Sequence, residues 1–392
     1  MNTIEIIFWI FLFVVFYTYI GYGILLYLLV VIKERLLKKG NKPGTIDEFP
    51  EVTFLIAAYN EEDIIDEKMQ NTLSLEYPKS KFKIVWVTDG TTDGSNKKLE
   101  AYSSVNVLFQ PQRQGKTAAL NRAMKFINSS IVVFSDANTM LNINAIIEIV
   151  KAFSDNEVGC VAGEKRIKSM DKDSASSGGE GIYWKYESSL KNLDSRLNSA
   201  VGAAGELYAI RRELFEEMGR ETLLDDFILS MRIAMKGYKI RYCKDAYAVE
   251  SGTLNMEEEK KRKIRIAAGG LQSVIWLTPL LNVFKYPLLS FQYISHRVLR
   301  WTITPFMLIS LLPLNIVLIS IDDRWLFKFL LVIQILFYCA GIAGKMMQDR
   351  KLKNKIFFVP YFFLFMNLNV FRGIAYFVNK RGDGTWEKSK RN

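Results

Sequence analysis

The sequence predicts an α/β protein, a doubly wound and mostly parallel sheet flanked at both ends of the chain by transmembrane helices. Three observations carry that expectation. Short apolar runs of strand character alternate with helical patterns from residue 52 to residue 163, as expected of strands joined by crossover helices. Residues 6–32 contain no Asp, Glu, Lys or Arg, and residues 301–379 are dominated by apolar side chains. Polar residues of the alternating region gather just beyond the strands, where open α/β sheets bind their ligands.

Taken in order, the uncharged N-terminal run exceeds the roughly 20 residues needed to span a bilayer. It has no basic residues before it and is too long for a signal-peptide core, so 1–32 is expected to be an uncleaved anchor. Lys33, Arg35, Lys38, Lys39 and Lys42 follow. The positive-inside rule then places the N-terminus outside and the next domain in the cytoplasm. After a Pro- and Gly-bearing linker (33–50) comes a domain over 51–255. Strands are expected at 52–58, 83–89, 105–109, 131–135 and 159–163, with helices at 61–73, 96–102, 117–127 and 143–153. The Ser-, Gly- and Asp-rich stretch 169–181 predicts a mobile loop. Tyr183-Trp184-Lys185-Tyr186-Glu187 then opens a helical stretch whose aromatics serve either the core or a sugar ring. The glycine-bearing run 201–210, with Glu206, suits close approach of a ligand to backbone.

Residues 256–300 predict amphipathic, interfacial helices, with Arg262 and Arg265 able to face the active site or lipid phosphates. Within a membrane region over 301–379, spans are expected at 301–321 and 326–344, joined by an external turn at Asp322-Asp323-Arg324. Segment 356–379 is interrupted by Pro360, Asn367, Asn369 and Arg372. A third crossing would leave the basic tail, 380–392, outside, so a bent, re-entrant or interfacial segment is expected there.

Composition narrows the chemistry. The net charge of +11 suits nucleic acid or an anionic membrane. The basic residues crowd beside apolar segments, which favours membrane lipids and no nucleic acid, and no zinc-finger or RNA-binding signature accompanies them. Three separated cysteines make neither a disulfide framework nor a metal cluster. With one histidine, His296, a Ser-His-Asp triad or a His-rich metal site has no supply of rings. Catalysis must rest on carboxylates.

Four strand ends carry candidate ligands: Tyr59-Asn60-Glu61, Asp89 to Asp93, Arg113 to Lys116, and Asp136-Ala137-Asn138. In extended chain, residues two apart share a face, so Asp136 and Asn138 present two hard oxygens suited to a hydrated divalent cation that also holds a phosphate. Alone, the same stretch reads as an Asx turn with Asn138 as a helix cap. Asp89-Gly90-Thr91-Thr92-Asp93-Gly94 reads equally as a tight turn. Gln114-Gly115-Lys116-Thr117 lacks the first glycine of a Walker loop, yet Arg113 and Lys116 at a helix start could neutralise a diphosphate. Asp225-Asp226 opens an amphipathic helix, where acids also serve as caps. Flanking apolar residues would raise a carboxylate's pKa, as a general base needs.

These motifs, in this order and approximate spacing, resemble membrane-bound family 2 glycosyltransferases, the group that includes cellulose, chitin, hyaluronan and poly-N-acetylglucosamine synthases. The resemblance covers about 52–270. It implies a GT-A fold (Rossmann-like), a UDP-sugar donor and a Mg²⁺ or Mn²⁺ cofactor. By the same resemblance Tyr59, Glu61 and Asp89 hold the uridine, and Lys116, Arg113 and Arg265 the diphosphate. Glu206 is a substrate-binding candidate, Asp136 and Asn138 match the metal-binding Asp-x-Asp, and Asp226, beside Asp225, matches the catalytic base. Asn138 replaces the second aspartate and Thr88 the first of a frequent Asp-Asp pair. Arg262-Lys263-Ile264-Arg265-Ile266 stands where the synthases carry Gln-x-x-Arg-Trp, and Trp386 with Arg391 only loosely matches a hyaluronan-synthase tail. The expected activity is inverting transfer to a growing polysaccharide or lipid-linked glycan at the cytoplasmic face of the cell membrane. A single-sugar transferase acting on a lipid carrier, and a non-catalytic membrane scaffold or transporter component, stand as alternatives.

Overall fold

The computed structural model describes residues 2–37, 46, 48–168, 175–252, 255–350 and 355–379. The basic tail with Trp386 and Arg391, most of the linker, and residues 169–174 of the expected mobile loop lie outside the described residues.

Eight strands form one sheet: β1 (Val52–Ala58), β2 (Phe82–Asp89), β3 (Val105–Gln110), β4 (Ile131–Asp136), β5 (Thr139–Leu141), β6 (Val158–Lys168), β7 (Tyr208–Arg211) and β8 (Lys239–Ser251). Their order is β3-β2-β1-β4-β7-β6-β8-β5. The β1–β2, β2–β3, β1–β4 and β6–β8 pairs are parallel. The pairs β4–β7, β6–β7 and β5–β8 are antiparallel. The sheet is therefore mixed. The strand expected at 159–163 is longer, and it sits one place away from β4 because β7 inserts between them. The glycine-bearing run 201–210 is extended only in its last part, from Tyr208; its first residues form a turn over the end of the sheet.

Both sheet faces are buried. Along β1, Leu55 packs into one core with the helices Lys116–Met124 and Asp225–Met235. Val52, Phe54, Ile56 and Ala58 face the other core, with the helices Ile65–Leu73 and Ala145–Ala152. This two-residue alternation is the period of a strand. It fixes which strand-end residues point across the site.

The helix Ala175–Leu197 begins inside the expected loop 169–181. Its C-terminal half is locked by Leu190 and Leu197 against Tyr22, Leu26 and Val30 of the N-terminal helix, and the helical register extends back from that anchor. Four helices are long and apolar enough to cross a membrane: Thr3–Leu37, Ile303–Ile321, Trp325–Asp349 and Ile356–Asn379. Of the bent, re-entrant or interfacial segment expected there, the re-entrant form is corrected, for the last is one continuous helix. Pro360 lies near its start, and the polar residues that suggested a break find partners. Asn367 and Asn369 donate to the carbonyls of Phe363 and Phe365 (2.9 and 2.8 Å), and Arg372 donates to Asn369 (3.0 Å). Gly373 lets this helix lie directly on Ala267 and Ala268 of the helix Met256–Trp276.

Candidate active site

The ends of β1 and β2 are laced together by side chains of the motif residues. Asn60 takes a positive φ of 52°, tolerable for Asn, and accepts the Thr92 N–H at 2.9 Å. Glu62 accepts the Gly94 N–H (2.9 Å) and donates its own N–H to Asp93 (3.0 Å). Asp93 also accepts the Ser95 N–H at 3.0 Å, so the turn reading of that stretch holds for its second aspartate. Asp89 is buried, and its Oδ2 accepts both the Gln114 and Gly115 N–H at 2.7 Å. Gly90 has φ +65°, and a Cβ there would lie 2.6 Å from Arg113 Cβ. Asp89 and Gly90 thus fix the 113–116 loop. Arg113 stacks on the Tyr59 ring at 3.9 Å, and Gly115, with φ 92°, delivers the chain into the helix that starts at Lys116.

Lys116 Nζ donates to Asp136 Oδ1 at 2.7 Å. Across from them the turn after residue 201 brings bare backbone to the same point. A Cβ on Gly205 would stand 3.3 Å from Lys116 Nζ, 3.4 Å from Asp226 Oδ2 and 3.8 Å from Asp136 Oδ2. Three charged groups from three segments therefore converge on one glycine. Asp226 accepts the Phe227 N–H at 2.8 Å. Burial and then the neighbouring Asp225 charge push its pKa up to about 7, with Lys116 pulling the other way. Asp225 is buried, and its Oδ2 has no hydrogen-bond partner. Burial works against the Lys116 ammonium, but Asp136, Asp225 and Asp226 outweigh it and hold its pKa above the ordinary value.

Beneath the strand end, the fully buried Lys68 donates to Ser135 Oγ (2.9 Å) and Thr139 O (2.6 Å). Burial drops its pKa to about 7, against the pull of Asp136. Asn138 donates its amide to Glu250 at 3.5 Å and lines the same cavity as Asp136. Glu250 and Glu206 share Lys165, and Arg262 reaches Glu206 at 3.5 Å. Burial alone would raise the Glu206 pKa; Lys165 and Arg262 hold it well below the usual carboxylate range. Its carboxylate is thus already engaged by two cations.

One cavity of about 860 Å³ is lined by Tyr59, Glu61, Asp89, Arg113, Lys116, Asp136, Asn138, Glu206, Asp225, Asp226 and Arg265. Every site residue expected from the sequence meets there. The same cavity runs on past Tyr183, Trp184 and Tyr186 to Val15, Tyr19, Phe337 and Phe363 of the apolar helices. Its wall includes Lys191, which sequence reasoning missed. Lys165 and Glu250 were missed as well; they come from β6 and β8, whose pairing leaves no local signature. His296 is fully buried between Asp194 (2.6 Å) and Glu187 (3.1 Å), where it braces helices.

The donor set fits a hard cation that is completed by substrate. Among the described residues, no cluster of three or more His, Cys, Asp or Glu could hold a metal ion alone. A hard cation there would take oxygens from Asp136 and Asn138 and the rest from water and phosphate, the mode in which Mg²⁺ usually binds.

Residues 53–219 match the family model for glycosyl transferase family 2. That stretch matches family 2 glycosyltransferases and has the GT-A-like fold, and four apolar helices lie before and after it. It is similar to the poly-beta-1,6-N-acetyl-D-glucosamine synthase of Staphylococcus aureus, 26% identical over 208 residues, 50% of this chain and 49% of the relative. It is also similar to the beta-monoglucosyldiacylglycerol synthase of a Nostoc species, 26% identical over 239 residues, 57% of this chain and 49% of the relative. The chain thus spans about half the length of the curated relatives it matches. Nearly the whole fold matches a solved structure, the mannosyltransferase PcManGT from Pyrobaculum calidifontis in complex with GDP-Man and Mn²⁺. The TM-score is 0.70 at 21% identity, covering 96% of this chain and 99% of the other.

Proposed function

We propose that the protein transfers a sugar with inversion from a UDP-sugar to a glycan or lipid-linked acceptor at the cytoplasmic face of the membrane. The observation that carries the reading is the convergence of Asp136, Lys116 and Asp226 on Gly205, in a cavity that continues among apolar helices. Lys116, with Arg113 and Arg265, binds the donor diphosphate and stabilises the charge that develops on departing UDP. A Mg²⁺ or Mn²⁺ held by Asp136 and Asn138 would neutralise further phosphate charge. Asp226 accepts the proton of the acceptor hydroxyl as its oxygen bonds to the anomeric carbon and the bond to the UDP oxygen breaks. With a pKa of about 7, it is basic enough to take that proton and ionised often enough to act at neutral pH. Tyr59, Glu61 and Asp89 line the end of the cavity assigned to the base; Asp89 acts there chiefly by holding the 113–116 loop.

The decisive variant is Asp226→Asn. Transfer should fall about 10²- to 10⁴-fold while UDP binding stays nearly intact, and full retained turnover would overturn the assignment. A donor panel containing both UDP- and GDP-sugars fixes the base. The second reading, one sugar added to a lipid, is favoured over processive growth by Arg262-Lys263-Ile264-Arg265-Ile266, which lacks the Gln and Trp of the synthase motif. Product length distinguishes the two.

A further inference from the structure

The charges along the cavity are unevenly matched. Around Glu206 the pairing closes: Lys165, Arg262 and Lys263 face Glu206, Glu250 and Glu259. Further toward the apolar helices it does not. Glu187 receives Arg297 and Arg300, and it also meets His296. Asp194 is taken by His296, the Tyr22 hydroxyl (2.5 Å) and Gln292 (3.1 Å). The Nε atoms of Arg297 and Arg300 are buried without hydrogen-bond partners. Lys191 lies on the same wall, 5% exposed, and makes no hydrogen bond or ion pair among the described residues. It feels Glu187, Glu206 and Asp226 only at longer range, with Arg297 opposing them, and burial lowers its pKa. A buried ammonium without a partner is costly to keep, and an arriving anion removes that cost.

We propose that this part of the cavity is the acceptor subsite, and that Lys191, with Arg297 and Arg300, binds the phosphate of a phosphate-bearing lipid. The inference rests on the transferase reading and names its acceptor class. The lipid chain would lie against Phe16, Ile20, Phe337 and Phe363, which line the cavity between candidate membrane-spanning helices. Its headgroup would then point past the aromatic wall toward Asp226. A neutral acceptor would leave the Lys191 charge unmatched.

The test uses the full chain in nanodiscs and measures retention of three lipids by native mass spectrometry: a polyprenyl monophosphate, phosphatidylglycerol and diacylglycerol. Retention of either phosphate lipid above diacylglycerol, reduced at least about tenfold by K191M, supports the proposal, since one charge-assisted contact is worth that much. Which of the two is retained identifies the source of the phosphate. Equal retention of diacylglycerol, or phosphate-lipid retention unchanged in K191M, overturns it. Melting without added lipid is the second readout. K191M removes an unpaired buried charge and should melt no lower than wild type; a large fall would show that Lys191 is structural and overturn the proposal. UDP binding by the same samples tests the donor site separately, so a wild-type chain that binds UDP but shows no preference for phosphate lipids counts against this inference alone.

Discussion

Asp226→Asn tests the electrostatics of the site as well as its chemistry. The rise of the Asp226 pKa from 3.8 to about 7 corresponds, at about 1.4 kcal/mol per pH unit, to ~4 kcal/mol against the folded, ionised state. Water in the open cavity and the shared charge of Asp225 reduce that to ~2 kcal/mol. The unfolded carboxyl ionises near its ordinary value and the folded one near 7. Stability from this group is therefore complete below the unfolded pKa and is lost as pH rises through about 7. Asn carries no such loss. The variant should melt roughly 2–3 °C above wild type at about pH 8, and the gap should close as pH falls toward the unfolded value. Transfer should fall about 10²- to 10⁴-fold, while wild-type turnover rises with pH up to about 7 and then levels. Thermal unfolding in detergent at two pH values, paired with a turnover profile, measures both. If the variant melts no higher than wild type at about pH 8, or wild-type turnover is flat across pH 6–8, the reasoning about Asp226 is wrong.

Other parts of the site give sharper single tests. Gly205→Ala puts a methyl 3.3 Å from Lys116 Nζ, so donor KM should rise with little change in Tm, as steady-state kinetics and melting would show. Asn138→Asp restores a second carboxylate and should tighten Mn²⁺ binding to the nucleotide-free protein, measured by calorimetry; wild type should bind Mn²⁺ weakly without UDP. Lys68→Met addresses the group beneath Asp136. The folded Lys68 pKa is about 7, below the unfolded value, so stability from this group rises with pH above 7 and is lost as pH falls through 7. The variant should lack that rise in a melting series from about pH 7 to about pH 10.

The legible parts of this protein are those whose physics is local. Strand alternation located β1 to β4, and ligand groups at their ends were visible because residues two apart share a face. The carboxylate demand followed from the single histidine. What the chain hid depends on pairing distant in sequence. The short strand β7 slips between β4 and β6, and Lys165 meets Glu250 only because β6 and β8 run side by side. Asp89 read as a ligand, yet its Oδ2 is spent on two backbone N–H groups, a role set by where the 113–116 loop folds. Asn367 and Asn369 looked like breaks in a helix; their bonds to carbonyls four residues back satisfy them within it. Lys191 gave no signal at all, since one lysine in a helical stretch is ordinarily solvated.

The central claim is that Asp136, Lys116 and Asp226 form a nucleotide-sugar transfer site. The most direct measurement is nucleotide release by the purified full chain from a panel of UDP- and GDP-sugars, with and without Mn²⁺. Release that needs Mn²⁺, is stopped by a chelator and is lost in both Asp136→Ala and Asp226→Asn is the predicted result. Release that survives the chelator and both substitutions, or failure of every nucleotide sugar to bind, would contradict it.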